Sequence, residues 1–189
     1  MLFCKPDIKK GVVFEKPAAA RDRIRIRSLN LRRDFRFVSN WTSTAPESLE
    51  KESRRILKSR DAHCFICLSG TRRVLNIVIQ TLVPNECGIK LSIPHRHCFM
   101  ALLINPLFVH ERPLTSEVLR SFLDYYFSFK LAQCLVVTPG IYDFTICRLL
   151  EASGFIFQQN VILPTEAASL YLITRNIFFA TVKVDKSAG

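Results

Sequence analysis

Residues 97–138, HCFMALLINPLFVHERPLTSEVLRSFLDYYFSFKLAQCLVVT, decide the fold. The segment 97–104 is almost entirely apolar, which is typical of a strand buried on both faces of a sheet. Apolar side chains recur every three or four residues over 116–130, which predicts an amphipathic helix capped by Thr115 or Ser116. The apolar segment 133–138 predicts a second strand. A strand, a helix and a strand in this order predict a right-handed parallel crossover.

The rest of the chain supplies strands and helices on both sides of this unit. Further helices are predicted at 30–42, 46–58 and 144–152, and further strands at 23–27, 62–68, 74–83, 88–93, 155–163 and 168–175. Strict alternation at 23–27 places two isoleucines on one face and three arginines on the other, solvent-facing side. This order predicts an α/β (α+β) class with a mixed central sheet and helices on both faces.

Domain organisation follows from where these patterns begin and end. Residues 1–22 show no periodicity and are predicted to be a poorly ordered leader. A single domain is predicted at 23–179, followed by a tail at 180–189. The N-terminal residues carry three lysines and lack the apolar segment of a secretory signal, and no run reaches the ~18–20 apolar residues of a membrane span. We therefore expect a cytoplasmic protein without a membrane association.

Composition excludes a disordered chain, because 49% of the residues are hydrophobic and 15 are Phe. The net charge is +11, and residues 1–73 contain 18 of the 27 basic residues but only eight of the 16 acidic ones. This asymmetry fits either a solvated basic face or an anionic partner. The arginines at 23–36 lack an interleaved set of exposed aromatics, and no known DNA-binding motif is present, so nucleic acid is not the expected partner.

The seven cysteines do not form a convincing metal site. Cys64 and Cys67 have the CxxC spacing, but they lie in a predicted strand, where residues three apart point to opposite faces. A second CxxC pair is missing, although Cys87, His95 and Cys98 lie further along the chain. We expect no bound metal and interpret the thiols as packed side chains in a reducing compartment.

The ordered motifs resemble the GNAT acyltransferase superfamily, and in particular its siderophore-biosynthesis branch. The resemblance rests on Leu102–Pro106, on the helix opening at Thr115, on the helix-to-strand junction Leu149–Phe155, and on Leu163–Phe178. It implies an acyl-CoA-dependent N-acyltransferase that modifies the amine or hydroxylamine of a hydroxylysine-like precursor. The expected partners are therefore acetyl-CoA, or another acyl-CoA, and a small-molecule amine.

The resemblance also implies where coenzyme A binds. In this fold the pyrophosphate lies at the N-terminus of the helix that follows the long buried strand, where orphan N–H groups and the helix dipole favour an anion. The candidate ligands are Asn105, His110, Arg112, Thr115 and Ser116.

Several positions depart from the branch. Ala101 stands where the family commonly has His, Gly140 where it has Asp, and Glu166 where it has Lys. The remaining candidates for proton transfer are Asp143, Tyr142 and His97. Asp143 is also the predicted N-cap of the helix 144–152, and His97 would serve only if the strand register shifted. The alternative function is a catalytically degenerate GNAT-fold protein that binds CoA or a protein partner without turnover.

Overall fold

The computed structural model describes residues 11–18, 22–42, 45–81, 97–163 and 166–187, with only the backbone considered at 182–187. The strands are β1 Val12–Pro17, β2 Arg23–Ser28, β3 Ala62–Ser69, β4 Arg72–Gln80, β5 His97–Ile104, β6 Cys134–Val137, β7 Ile156–Ile162 and β8 Ala167–Thr174. The helices are α1 Leu31–Val38, α2 Pro46–Lys58, α3 Arg112–Ser128, α4 Phe144–Ala152 and α5 Arg175–Ser187. The predicted strand 88–93 lies outside the described residues.

Within the described residues the strands form one sheet in the order β1-β2-β3-β4-β5-β6-β8-β7. Neighbours pair antiparallel except β5 and β6, which are parallel and joined by α3. The predicted crossover is therefore confirmed, as is the mixed sheet. None of the described helices is long and apolar enough to cross a bilayer.

Helices cover both faces of this sheet, as expected. On one face α3 packs against β3, where the ring centroids of Phe65 and Phe122 lie 5.5 Å apart in an edge-to-face arrangement. On the other face, Val38 of α1 and Ile56 of α2 pack against Ile66 of β3. Edge-to-face aromatic pairs and buried aliphatic side chains of this kind supply most of the stabilisation of a domain.

Both ends of the chain contain more structure than the sequence pattern predicts. Val12–Pro17 lies in the predicted leader but pairs antiparallel with β2 as an edge strand. Lys16 on this strand binds Asp124 of α3 at 2.6 Å. At the other end, α5 continues to Ser187 through most of the predicted tail, and its Phe178 ring stacks on Phe127. Six residues interrupted by charges give too short a pattern for β1 to be recognised from sequence.

The arginine face of β2 is exposed at Arg23, as its alternation predicts, but not at Arg25 and Arg27. Arg27 is 8% exposed and Arg25 is half-buried. Helix α1 lies over this face and brings the fully buried Asp34 against Arg27 at 2.6 Å. An ion pair with a buried carboxylate thus replaces the expected contact with water.

Candidate functional site

The central feature of the sheet is a cleft between its two parallel strands. The β5–β6 ladder covers only His97–Phe99 on the first strand, opposite Cys134–Val136. Beyond that point the chain after β6 keeps pairing with β8, as far as the bridge between Gly140 and Ala168, while β5 stays with β4. The two strands therefore separate, and Ala101 is exposed instead of buried. This corrects the expectation that β5 is buried on both faces along its whole length.

Helix α3 begins beside this cleft, at Arg112 rather than at the predicted residue 116. Thr115 and Ser116 lie inside the first turns and do not cap the helix. The backbone N–H of Thr115 donates to the Glu111 carbonyl at 3.0 Å, and its hydroxyl donates to the Arg112 carbonyl at 3.1 Å. Pro113 has no N–H, so the helix start offers an anion the backbone N–H groups of Arg112 and Leu114.

A pocket of about 150 Å³ lies between the starts of α3 and α4. Four predicted CoA ligands line it, namely His110, Arg112, Thr115 and Ser116. The opposite wall comes from α4 and includes Arg148, which the sequence reasoning missed. The order of elements predicts this position for Arg148. A helix that follows the second strand of a parallel crossover begins at the same edge of the sheet as the crossover helix.

Asn105, the fifth predicted ligand, is not part of this lining. Its amide nitrogen donates to the Arg73 carbonyl at 2.7 Å, and its side-chain oxygen accepts from the backbone N–H of Leu107 at 3.1 Å. Asn105 therefore fixes the turn that leads from β5 toward α3. The structure shows this structural task for Asn105, and its contact with CoA stays a prediction.

A second, wider depression of about 550 Å³ is lined by the loop 140–143 together with Glu166 and Ala167. Tyr142 is 81% exposed there. The Asp143 carboxylate accepts from the backbone N–H of Ile146 at 3.1 Å, so it caps α4 as predicted. The loop is held against β8, because Ile141 donates to the Ala167 carbonyl at 3.2 Å. Two candidate proton-transfer residues thus lie together in the lining of this second pocket.

Glu166 enters this second pocket, and the sequence reasoning did not select it. A Cβ atom added at Gly140 would lie 3.3 Å from Oε2 of Glu166. The carboxylate therefore fills the space beside the position where the resembling family has Asp. Residues 26 apart in the chain meet here through the extended β6–β8 pairing, and no local pattern carries that information.

His97 lies far from both pockets. The β4–β5 register runs without a shift from Leu75 opposite Ile104 to Gln80 opposite Phe99. The regular strand separates His97 from Ala101 by about 13 Å and from Ile104 by about 23 Å. Its ring contacts Phe99 at 5.9 Å between centroids. The register shift that a catalytic role for His97 requires does not occur in β5, and the lining of neither pocket includes His97.

The buried thiols behave as packed side chains. Cys64 belongs to the hydrophobic cluster under α1 and α2, whereas Cys67 belongs to the cluster under α3, so their sulfurs point to opposite faces as predicted. Burial raises the pKa of Cys64 to about 12, which keeps it protonated at neutral pH. Among the described residues no group of three or more potential ligands could hold a metal ion, and Cys87 and His95 lie outside them.

Comparison with known proteins places this architecture. No protein family model and no curated protein matches the chain. An uncharacterized protein from Bacillus halodurans superposes with a TM-score of 0.78 at 13% identity, over 88% of this chain and 92% of that one. An aminoglycoside acetyltransferase in complex with coenzyme A gives 0.71 at 14% identity, over 84% and 98% of the two chains.

A third structure extends the set of acceptors. The spermidine N-acetyltransferase from Vibrio cholerae, in complex with CoA and spermine, gives a TM-score of 0.60 at 14% identity, over 82% of this chain and 98% of that one. At these identities the likeness establishes the fold alone. The chain has the fold of the GNAT acetyltransferases.

Proposed function

We propose that this protein is an acyl-CoA-dependent N-acyltransferase with acetyl-CoA as its donor. The observation that carries the proposal is the separation of β5 from β6 directly beside the start of α3, with a pocket at the same place. Solved proteins with the same fold include acetyltransferases that were crystallised with CoA. The siderophore-like motifs of this chain add a hydroxylysine-like amine as the proposed acceptor.

The donor side has the groups that a CoA pyrophosphate needs. The N–H groups of Arg112 and Leu114 point out of the helix start, and Arg112 of α3 and Arg148 of α4 both line the pocket. Charge-assisted hydrogen bonds of this type are the strongest available to an exposed phosphate. The part of β5 that β6 leaves unpaired, Met100–Ile104, offers backbone donors and acceptors to the amide groups of the pantetheine arm.

The acceptor amine binds in the wider pocket, which is lined by the 140–143 loop. The amine attacks the thioester carbon, a C–N bond forms and the C–S bond breaks. The proton lost by the amine passes to the Glu166 carboxylate, which projects into this pocket. Tyr142 lines the same pocket and donates a proton to the departing thiolate. Asp143 remains the cap that fixes the loop.

The alternative is a GNAT-fold protein that binds CoA without turnover. It is favoured by Ala101 and Gly140, which stand at the positions of the His and Asp that the resemblance implies. Glu166 beside Gly140 favours the enzyme, because it restores a carboxylate at the same place.

One assay separates the two functions. Acetyl-CoA is first titrated into the protein by calorimetry, and free thiol is then measured with and without a hydroxylysine-like amine. We expect saturable binding and thiol release that depends on the amine. Binding without amine-dependent release, across a panel of amines that includes spermine and an aminoglycoside, would support the non-catalytic alternative. Absence of binding would contradict both.

A further inference from the structure

A third pocket, of about 350 Å³, lies beside α1 at the end of β1 and β2. Its described lining contains four arginines and no carboxylate: Gly11, Val12, Arg25, Arg27, Arg33, Leu68, Thr71 and Arg73. It shares no residue with the two pockets of the proposed active site. We infer that this arginine pocket binds a small anion that carries a phosphoryl group.

Two of its guanidinium groups are held in place before any ligand arrives. Arg27 donates both terminal nitrogens to the Asp34 carboxylate, at 2.6 and 2.7 Å. Arg73 donates its Nε to the same carboxylate at 2.9 Å and lies over the ring of Phe37, with 4.1 Å between the guanidinium carbon and the ring centroid. Fixing donors in advance lowers the entropy that binding must offset. The hydrogen bond from Arg73 to Asp34 uses only its Nε.

Within the described residues, the positive charges that line this pocket exceed the negative charges in contact with them. Two guanidinium groups share the single carboxylate of Asp34, and Arg27 is only 8% exposed. Arg25, which donates to the Gly70 carbonyl, and Arg33 at the rim add two further positive charges. A buried cation without full compensation is costly, so a bound anion stabilises this arrangement. A phosphate dianion offsets more of the excess than a carboxylate does, and its oxygens accept from several guanidinium groups at once.

The shape of the pocket favours a small ligand over a nucleic acid. A strand of nucleic acid needs a groove that follows its backbone and aromatic side chains for its bases. Here the arginines converge on one concavity, while Arg23 pairs with Glu15 and the exposed Arg32 lies outside the lining. Four described arginines of the N-terminal part therefore line one concavity and do not follow a stripe.

The test is a calorimetric titration of inorganic phosphate and pyrophosphate into the 189-residue protein and five variants. Arg33→Ala and Arg25→Gln remove donors from the pocket, and we expect each to weaken binding about 10- to 100-fold, as the loss of a charged hydrogen bond does. Arg32→Ala removes the same charge from the neighbouring position on α1 and should change the affinity less than about twofold. Arg148→Ala, in the proposed CoA pocket, should also change the affinity of the arginine pocket less than about twofold.

The titration measures phosphate binding alone, so its result does not depend on the proposed acyltransferase activity. No saturable binding of either probe to the wild type would overturn it. So would equal weakening by Arg32→Ala, which indicates general surface charge, or loss of binding only in Arg148→Ala, which indicates the other pocket. Arg33→Lys keeps the charge and removes the fork, and an intermediate affinity is expected. A single-stranded oligonucleotide that binds more tightly than pyrophosphate, and loses affinity equally in Arg32→Ala and Arg33→Ala, would also contradict the inference.

Discussion

Asp34 is fully buried and accepts hydrogen bonds from Arg27, Arg73 and the backbone N–H of Asn30. It ties α1 to β2 and β4 at the same time. Removing one partner of such a network leaves buried charges without compensation, which typically costs about 3–5 kcal/mol. We therefore expect Asp34→Ala to lower the free energy of unfolding by about that amount, measured by urea denaturation. Arg54→Ala, which breaks an exposed ion pair with Glu50, should cost less than about 1 kcal/mol.

The same carboxylate makes stability depend on pH. Burial alone would raise the pKa of Asp34, but the hydrogen bonds from Arg27, Asn30 and Arg73 outweigh it, so the pKa lies below its ordinary value of 3.8. A folded-state pKa below the unfolded one contributes stability that is fully present above the unfolded pKa and is lost as the pH falls through the folded pKa. The wild type should thus lose more stability than Asp34→Asn when the pH is lowered below about 4. Equal losses in the two proteins would contradict this role.

Glu166 is the residue on which the proposed chemistry depends most. A positioned general base contributes about 10²–10⁴-fold, and an exposed carboxylate such as Glu166 should lie near the lower limit. Glu166→Gln should reduce kcat about 100-fold and leave acetyl-CoA affinity unchanged. Glu47→Gln, an exposed change in the first turn of α2, is the matched control. Unchanged kcat in Glu166→Gln would assign the proton transfer to another group.

At the level of elements, α3 offers a test with two equivalent charge changes at its opposite ends. Arg112 is its first residue, and Lys130 lies exposed just beyond its C-terminus. Arg112→Glu should weaken acetyl-CoA binding by about 1–2 kcal/mol, or roughly 5- to 30-fold in Kd, because it replaces a donor to phosphate by a repelling carboxylate. Lys130→Glu changes the net charge equally and should leave Kd within about twofold. Similar effects of the two variants would place the phosphates elsewhere.

The open part of β5 allows a histidine to be introduced at position 101, where the resembling family commonly has one. Ala101 is exposed because β6 has already left β5, so a larger side chain does not overpack the core. Ala101→His should raise kcat by up to about 100-fold at an unchanged melting temperature if a further proton-transfer group limits the rate. Asp at position 140 is a poorer choice, because its Cβ would lie 3.3 Å from the Glu166 carboxylate and bring two negative charges together. A folded Ala101→His variant that binds acetyl-CoA and shows no gain would contradict the role of this position.

At the scale of the whole molecule, local sequence patterns predict some structural features, and contacts between elements determine the others. Periodicity predicts α3, the β5–β6 crossover and the two-sided helix cover, because these follow from the spacing of apolar residues along each element. The burial of Arg27 depends on Asp34 of the next helix, and the position of Glu166 depends on the β6–β8 ladder. The sequence predicts the start of α3 four residues too late, because Thr115 has the side chain of an N-cap residue. In the structure its hydroxyl donates back to the Arg112 carbonyl instead. Contacts between elements decide these details.

Ligand binding links the proposed site to the stability of the whole molecule. A ligand that binds only the folded state at 100 times its Kd stabilises it by about 2.7 kcal/mol, and each kcal/mol raises Tm by about 2–4 °C in a domain of this size. Acetyl-CoA should therefore raise Tm by about 5–11 °C at that concentration. Arg112→Glu should show a smaller shift at the same concentration, whereas Arg33→Ala should retain the full shift, because its pocket shares no residue with the proposed CoA pocket. Since the chain carries a net charge of +11 and CoA is an anion, added salt should reduce the shift. A shift that is equal in all three proteins would show that acetyl-CoA binds outside the pocket between α3 and α4.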